Sequence, residues 1–532
     1  MNGIFFSRRQ ALQLASCGFG SLALSGMLAA ADAASVKNPL AAKRPHYQAR
    51  AKRVIFLFMQ GGPSQVDTFD YKPILEKRHG EKMPFDDDRV IANSGKRGSE
   101  QTLMQSPWKF RRYGECGQPV SELFPHMANH VDKMCMIHSM HTEGVAHGPA
   151  TLFLHTGATN FVRPSIGSWI SYALGSENDN LPAFVSIAPS PGNGGARNYG
   201  NAFLPPIHQG TTLGSAGRNA EEAKVRNLVN KSLTSKQQFE QFELLRAINA
   251  GQTADAQGDK ELEAVISSYE LAWRFQNNAP EILDVTQETE ATQKMYGIDQ
   301  KDTKDFGMQC LMARRLAESG VRYIQVTYGD SGANPAWEQH SNLPKHAEHA
   351  KKVDLPIAGL LQDLAQRGLL EDTLVWFGAE FGRTPYSQNN GTGRDHNPSG
   401  FTTWLAGAGV KSGFKYGRSD EFGHQAVENK THMHDLHATL LHLLGVDHKQ
   451  LTYSFSGRNF RLTDVHGEVA HDILSYQAPS IASPQYSLYC LSLFSMTFIS
   501  FQPLMVTTTA TIEKTPSPPY NSAIQKLNHS VY

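Results

Sequence analysis

The chain has 532 residues, enough for one large core or two modest ones. Lys+Arg and Asp+Glu each total 50, which excludes an overall electrostatic pull toward nucleic acid or an anionic membrane. Hydrophobic residues at 40% suit an ordinary globular protein, and 22 histidines lean toward metal or acid–base chemistry.

The amino terminus reads as a targeting segment. Ser7-Arg8-Arg9 precedes an apolar run from Ala11 to Ala31, and small residues close it at Ala33-Ala34. This layout predicts a twin-arginine signal peptide over residues 1–34 and export, folded, to the periplasm or beyond. Leu14-Ala-Ser-Cys17 also has the form of a lipoprotein cleavage site, but the apolar run continues past it. The other cysteines, Cys116, Cys135, Cys310 and Cys490, lack metal-like spacing. Cys116 and Cys135 either form one bridge or remain two buried thiols.

Arg53 to Phe58 is a strand candidate that empties into Gln60-Gly-Gly-Pro-Ser64, with Asp67 and Asp70 just beyond. The stretch 86–98 is charged and reads as a surface loop. Cys135 to His138 is a second short strand, followed by His141, Glu143 and His147. From Pro149 to His155 the pattern is helical and stops at Gly157. The start of that helix, at His147-Gly148, would present free N–H groups and a positive dipole end to an anion. Ala183 to Ile187 is a third apolar segment. Residues 217–305 are polar and carry helically spaced apolar residues (Phe239, Phe242, Leu245, then Ile266, Tyr269, Trp273), which predicts an inserted helical pair or lid.

Alternation then resumes. A helix over Phe306–Ser319 leads to a strand over Val321–Val326, whose exit runs through Glu338 and His340. A helix marked by Val353, Ile357, Leu360, Leu361 and Leu364 ends at Gly368. The strand Thr373–Gly378 gives out into Glu380 and Arg383; Asp395-His396 follows, then a second apolar run from Phe401 to Leu405. A last helix over Asp435–Leu444 is capped by Gly445, with His434, His437 and His442 assigned to its polar face. Such alternation predicts an α/β fold, a doubly wound and mainly parallel sheet, whose reacting groups gather where strands end. The tail, 476–532, is rich in Ser, Thr and Pro and is expected to be disordered or extraneous to the domain. Its apolar patch from Tyr486 to Met505 is broken by Ser487, Ser492, Ser495 and Ser500, so no stable membrane span is expected.

The exits together resemble the domain-of-unknown-function 1501 family, itself related to the alkaline phosphatase and sulfatase superfamily. The residues that carry the resemblance are Phe56 through Asp70, His147 with Thr156-Gly157, Trp337-Glu-Gln-His340, Gly378 through Pro385, Gly393-Arg-Asp395-His396, and Asp435 through Gly445. The match spans roughly residues 53–474. It implies hydrolysis of a sulfate or phosphate ester, on a small molecule or a polysaccharide, by in-line attack assisted by divalent metal. His147 and Arg383 become candidate catalytic residues. Asp67, Glu338, His340, Glu380, Asp395 and His396 become candidate ligands for zinc, manganese or calcium.

Two positions depart from the superfamily pattern. His147 stands where a Cys, Ser or Thr nucleophile is expected, and Gln60 stands at the first strand exit where a metal-binding Asp is usual. Those departures favour the rival expectation, a non-catalytic binding protein that keeps the fold. Ordinary explanations compete for each residue: a salt-bridged Glu380–Arg383 strand exit, a loop pair at Glu338 and His340, an Asx-capped turn at Asp395-His396.

Overall fold

In a computed structural model the described residues are 40–84, 101–222, 233–255, 260–332, 334–388 and 392–475. Residues 1–34, 86–98 and 476–532, on which the signal-peptide, surface-loop and tail expectations rest, lie outside them.

The centre of the molecule is strand β1 (Arg53–Met59), seven residues buried on both faces. A continuous run of β-branched, aromatic and aliphatic side chains with no polar alternation is what a strand covered on both faces requires. Eight more strands join it: β2 (Met134–His141), β3 (Phe184–Ile187), β4 (Thr211–Leu213), β5 (Tyr323–Tyr328), β6 (Thr373–Gly378), β9 (Phe401–Ala406), β10 (Phe414–Tyr416) and β11 (Thr431–His432). The order across the sheet is β10-β2-β9-β6-β1-β5-β3-β4, with β11 also paired to β2.

β1 runs parallel to β5 on one side and β6 on the other, Leu57 lying opposite Val326 and Phe377. β9 alone in this described sheet runs against its neighbours, β6 and β2. The cause is local. Between β6 and β9 the chain makes only a hairpin, β7 (Gly382–Ser387) and β8 (Arg394–Asn397), with no crossover helix to restore direction. The sheet is therefore mixed but mainly parallel, as the alternating pattern predicts.

Helices cover both faces. α1 (His147–Thr156), α2 (Ile166–Leu174) and α7 (Met433–Leu443) pack with the core that holds Phe56, Phe58 and Trp376. α5 (Lys304–Glu318) and α6 (Lys345–Gln366) pack with the opposite core, which holds Ile55, Leu57 and Val326. Within 217–305 lie α3 (Ser235–Asp255) and α4 (Lys260–Leu283), where Phe242 stacks on Trp273 at 5.0 Å. The terminating glycines Gly157, Gly368 and Gly445 have φ of +68°, +69° and +77°, the left-handed region that a helix stop of this kind needs.

One surface assignment is corrected. His434 and His437 are not on a polar face but buried, 3% and 0% exposed, because α7 presses this side against Phe153 and Leu154 of α1 and against His466. His437 donates from Nε2 to the Leu154 carbonyl at 2.8 Å. Cys116, Cys135 and Cys310 are free thiols, with Cys135 and Cys310 buried. No helix among the described residues is long and apolar enough to cross a membrane.

Candidate metal centre

Because β1, β5 and β6 are adjacent and parallel, their exits open side by side at one sheet edge. β1 ends in Gly61 and Gly62, with φ of +111° and +75°. A Cβ on Gly61 would lie 2.8 Å from the Trp337 nitrogen and 2.9 Å from that of Glu338. Glycine is thus what lets the exits of β1 and β5 touch, and the Trp337 N–H closes on the Gln60 carbonyl at 3.1 Å. The exit of β6 supplies Glu380, which accepts the Gly61 N–H at 2.9 Å. The hairpin after β6 supplies Arg383 and His396, opposite one another across its ladder. α1 follows β2 and brings His147 on its first residue.

Four side chains converge directly. Glu338 accepts from His147 Nε2 at 2.6 Å and lies 3.2 Å from His396 Nε2; it also contacts His340 Nε2. The Nε2 atoms of His340 and His396 are 3.0 Å apart. Asp395 stands behind His340, its Oδ1 3.6 Å from Nδ1. His147, Glu338 and His396 form one group whose donor atoms all lie within 4.8 Å, and His340, Asp395 and His396 form another.

The outer residues hold these in place. Glu380 sits behind His147, taking a hydrogen bond from Nδ1 at 2.7 Å, so that Nε2 faces the cluster. His396 donates from Nδ1 to the Val145 carbonyl at 2.6 Å, and His340 Nδ1 bonds the Gln388 side-chain oxygen. Those bonds fix both tautomers with Nδ1 held from behind and Nε2 turned toward Glu338, the orientation that hydrogen-bond partners behind the ring give to metal-binding histidines. Phe381 stacks on His396 with centroids 4.3 Å apart and walls the site.

Burial grades the cluster from its mouth inward, with His396 and Asp395 at 5% and 1% exposed. The side chains of His147, Glu338 and His340 are 11%, 12% and 18% exposed, while Glu380 and Arg383 are 0%. Arg383 is a support beneath Glu338: it donates to Glu338 Oε2 at 2.5 Å and to the carbonyls of Gly62 and Trp337 at 3.0 and 3.1 Å. Asp67 stands apart from the cluster. It accepts from Arg394 Nε at 2.7 Å and Nη2 at 3.1 Å, both side chains fully buried. Thus Glu338, His340, Asp395, His396 and His147 come together, Glu380 and Arg383 lie immediately behind them, and Asp67 is occupied as an ion-pair partner.

The electrostatics follow from these contacts. Burial alone would raise the Glu338 carboxyl, but the Arg383 guanidinium and the imidazole bonds hold it well below the usual carboxylate range. Burial would lower His147, yet its bonds to Glu338 and Glu380 hold it above the ordinary histidine value. His396 is pushed down to about 3, first by burial and then by Arg383 and His147, so it is neutral near pH 7. Burial raises Asp395.

This donor set fits a divalent metal. With bonds near 2.0–2.2 Å and ligand–metal–ligand angles of about 90–110°, two ligands of one shell lie about 2.8–3.6 Å apart. The separations of 3.0 Å (His340 to His396) and 3.2 Å (His396 to Glu338) fall in that range. Asp395 Oδ2 is buried without a hydrogen-bond partner, an orphaned acceptor that a cation would satisfy. Sequence reasoning missed Gln388 and the Val145 carbonyl. A backbone carbonyl carries no residue signature, and Gln388 is an isolated amide just past β7 with no motif around it.

The profile of a family described as "Protein of unknown function (DUF1501)" matches residues 51–474. No curated protein matches the chain. Among solved structures it is similar to a protein of the alkaline phosphatase superfamily from Vibrio parahaemolyticus (9% identity, TM-score 0.33, covering 78% of this chain and 71% of that one). It is also similar to the PsFucS1 sulfatase from Pseudoalteromonas sp. (12%, 0.33, 76% and 68%) and to a phosphonate monoester hydrolase from Silicibacter pomeroyi (10%, 0.31, 82% and 78%).

Proposed function

We propose that this chain, which belongs to the DUF1501 family, is an exported, metal-dependent hydrolase of sulfate or phosphate esters carried on a small molecule or a saccharide. The observation that carries the reading is the meeting of His340 and His396 Nε2 atoms at 3.0 Å beside Glu338, with both tautomers fixed from behind. Glu338, His340, Asp395 and His396 would hold the ion, and imidazole with carboxylate suits zinc best, manganese or calcium less well. A bound divalent cation supplies Lewis-acid neutralisation of the ester's oxyanion charge.

His147 has the chain's own chemical role. Glu380 anchors Nδ1, leaving the Nε2 proton directed at the cluster, where it can be given to the leaving oxygen. The bond broken is then the ester S–O or P–O bond; water supplies the new oxygen, and its proton replaces the one given up by His147. Arg383 keeps Glu338 ionised and in place without reaching the ester. Export is part of the proposal and is supported by Ser7-Arg8-Arg9 ahead of the apolar run.

One observation favours the second reading, a binding protein without turnover. Gln60, at the β1 exit, is buried with both amide atoms unpartnered, so that exit adds no carboxylate to the cluster. Release of sulfate or phosphate from nitrophenyl esters separates the two. The hydrolase reading expects release that His147→Ala abolishes, whereas absence of release from both esters by metal-loaded protein supports the binding reading.

A further inference from the structure

At the far end of α1 from His147 lies a second concavity, built from different chemistry. A helix of ten residues spans about 15 Å, so the two places are separated by the length of α1. This cavity, of about 310 Å³, is lined at the helix end by Thr156 and Gly157 and otherwise chiefly by Arg163, Phe161, Phe460, Arg458, Arg461 and Asp464. Three guanidinium groups there face one carboxylate.

That carboxylate is already shared. Arg458 pairs with Asp464 Oδ1, and Arg461 Nε bonds the Asp464 carbonyl. Arg163 is different: among the described residues it has no hydrogen-bond or ion-pair partner. It is held instead by aromatic faces, its guanidinium 4.2 Å from the centroid of Phe460 and 5.5 Å from that of Phe161. Stacking of this kind fixes the plane of an arginine while leaving its N–H fork unmatched, ready for a bidentate oxyanion. Phe161 is 69% exposed and Val162 62%, on the loop that carries Arg163.

We propose that this cavity is a binding site for an anionic saccharide, a sugar bearing a sulfate or carboxylate group. A sugar ring offers an apolar C–H face and hydroxyls on one small body, and its acidic substituent supplies the charge. Arg163 takes the oxyanion, with Arg458 adding attraction, and the exposed ring of Phe161 takes the sugar face, while Phe460 holds both guanidinium groups in place. The cationic groups lie inside a concavity of small-ligand size, which suits a discrete ring better than a flat lipid surface. The site does not depend on hydrolysis at the His147 end. If the ester there is carried on the same polymer, this cavity adds a second point of attachment and raises residence by effective concentration.

The test is calorimetric titration of the full chain with glucose 6-sulfate, using glucose and inorganic sulfate as controls. The expected result is binding of glucose 6-sulfate only, weakened at least tenfold by Arg163→Ala and by Phe161→Ala. Every variant is also titrated on a His396→Ala background, where the cavity should still bind, so that binding or hydrolysis of the same ester at the metal cluster is separated from it. Phe161 is exposed, so its removal tests recognition without threatening the fold. Equal affinity in wild type and both cavity variants would overturn the proposal. So would inorganic sulfate binding as tightly as the sugar, or phosphatidylglycerol vesicles binding through Arg163 while glucose 6-sulfate does not.

Discussion

At the scale of single residues, the chemistry depends on which carboxylates face the cluster and which stand behind it. Glu380 is fully buried and bonded to His147 Nδ1 and the Gly61 N–H, so it orients an imidazole. Glu380→Gln should therefore retain bound metal and lower ester turnover about 10- to 100-fold, the usual cost of removing an outer-shell partner. Metal loss in that variant would return Glu380 to the inner shell. Asp67→Asn makes the opposite kind of prediction. Its buried partner Arg394 would keep a charge without a counter-ion, costing about 3–5 kcal/mol of stability in urea unfolding. Metal content should not change, and metal loss at unchanged stability would contradict this assignment. The Asp-His and Glu-x-His pairs were legible in the chain because both residue types recur at strand exits. The separation of Asp67 from Glu338 was not, because it depends on Arg394 reaching across from a hairpin 327 residues later.

At the scale of elements, the contact between α1 and α7 contains a buried charge liability. His155 is fully buried with neither ring nitrogen partnered, and His437 is fully buried with Nδ1 unpartnered. Burial, and then the neighbouring His437, pushes His155 down to about 3; burial pushes His437 down to about 4. Both are ordinary histidines in the unfolded chain, titrating near 6.5. Above that pH neither state binds the proton and there is no effect. As pH falls below it, the unfolded chain takes up protons that the folded one refuses, so stability declines until the folded-state values are passed. Thermal midpoints should therefore fall between pH 6.5 and 4, and His155→Leu should flatten that fall by several degrees. An unchanged pH profile in His155→Leu would show that this contact does not govern acid unfolding. Periodicity read the helices, their glycine stops and the strand exits. It misread His434 and His437, because polar residue type was taken for a polar face, whereas α7 is enclosed on more sides than an amphipathic stripe suggests. The antiparallel β9 was equally hidden, since a short apolar run carries no direction.

At the scale of the molecule, a nine-stranded, mainly parallel sheet makes the cluster possible: it delivers residues 147, 338 and 396 to one edge although the chain separates them by up to 249 positions. Export should depend on the paired arginines. With Arg8 and Arg9 both replaced by Lys, the precursor should accumulate in the cytoplasm, and undiminished secretion would remove the twin-arginine proposal. Metal analysis of purified protein by plasma mass spectrometry tests the metal centre. The wild-type chain should carry a stoichiometric divalent ion, lost in His340→Ala and in His396→Ala while circular dichroism shows the fold intact. Folded wild-type protein that remains metal-free after incubation with zinc, manganese and calcium would contradict it, as would variants that hold as much metal as the wild type.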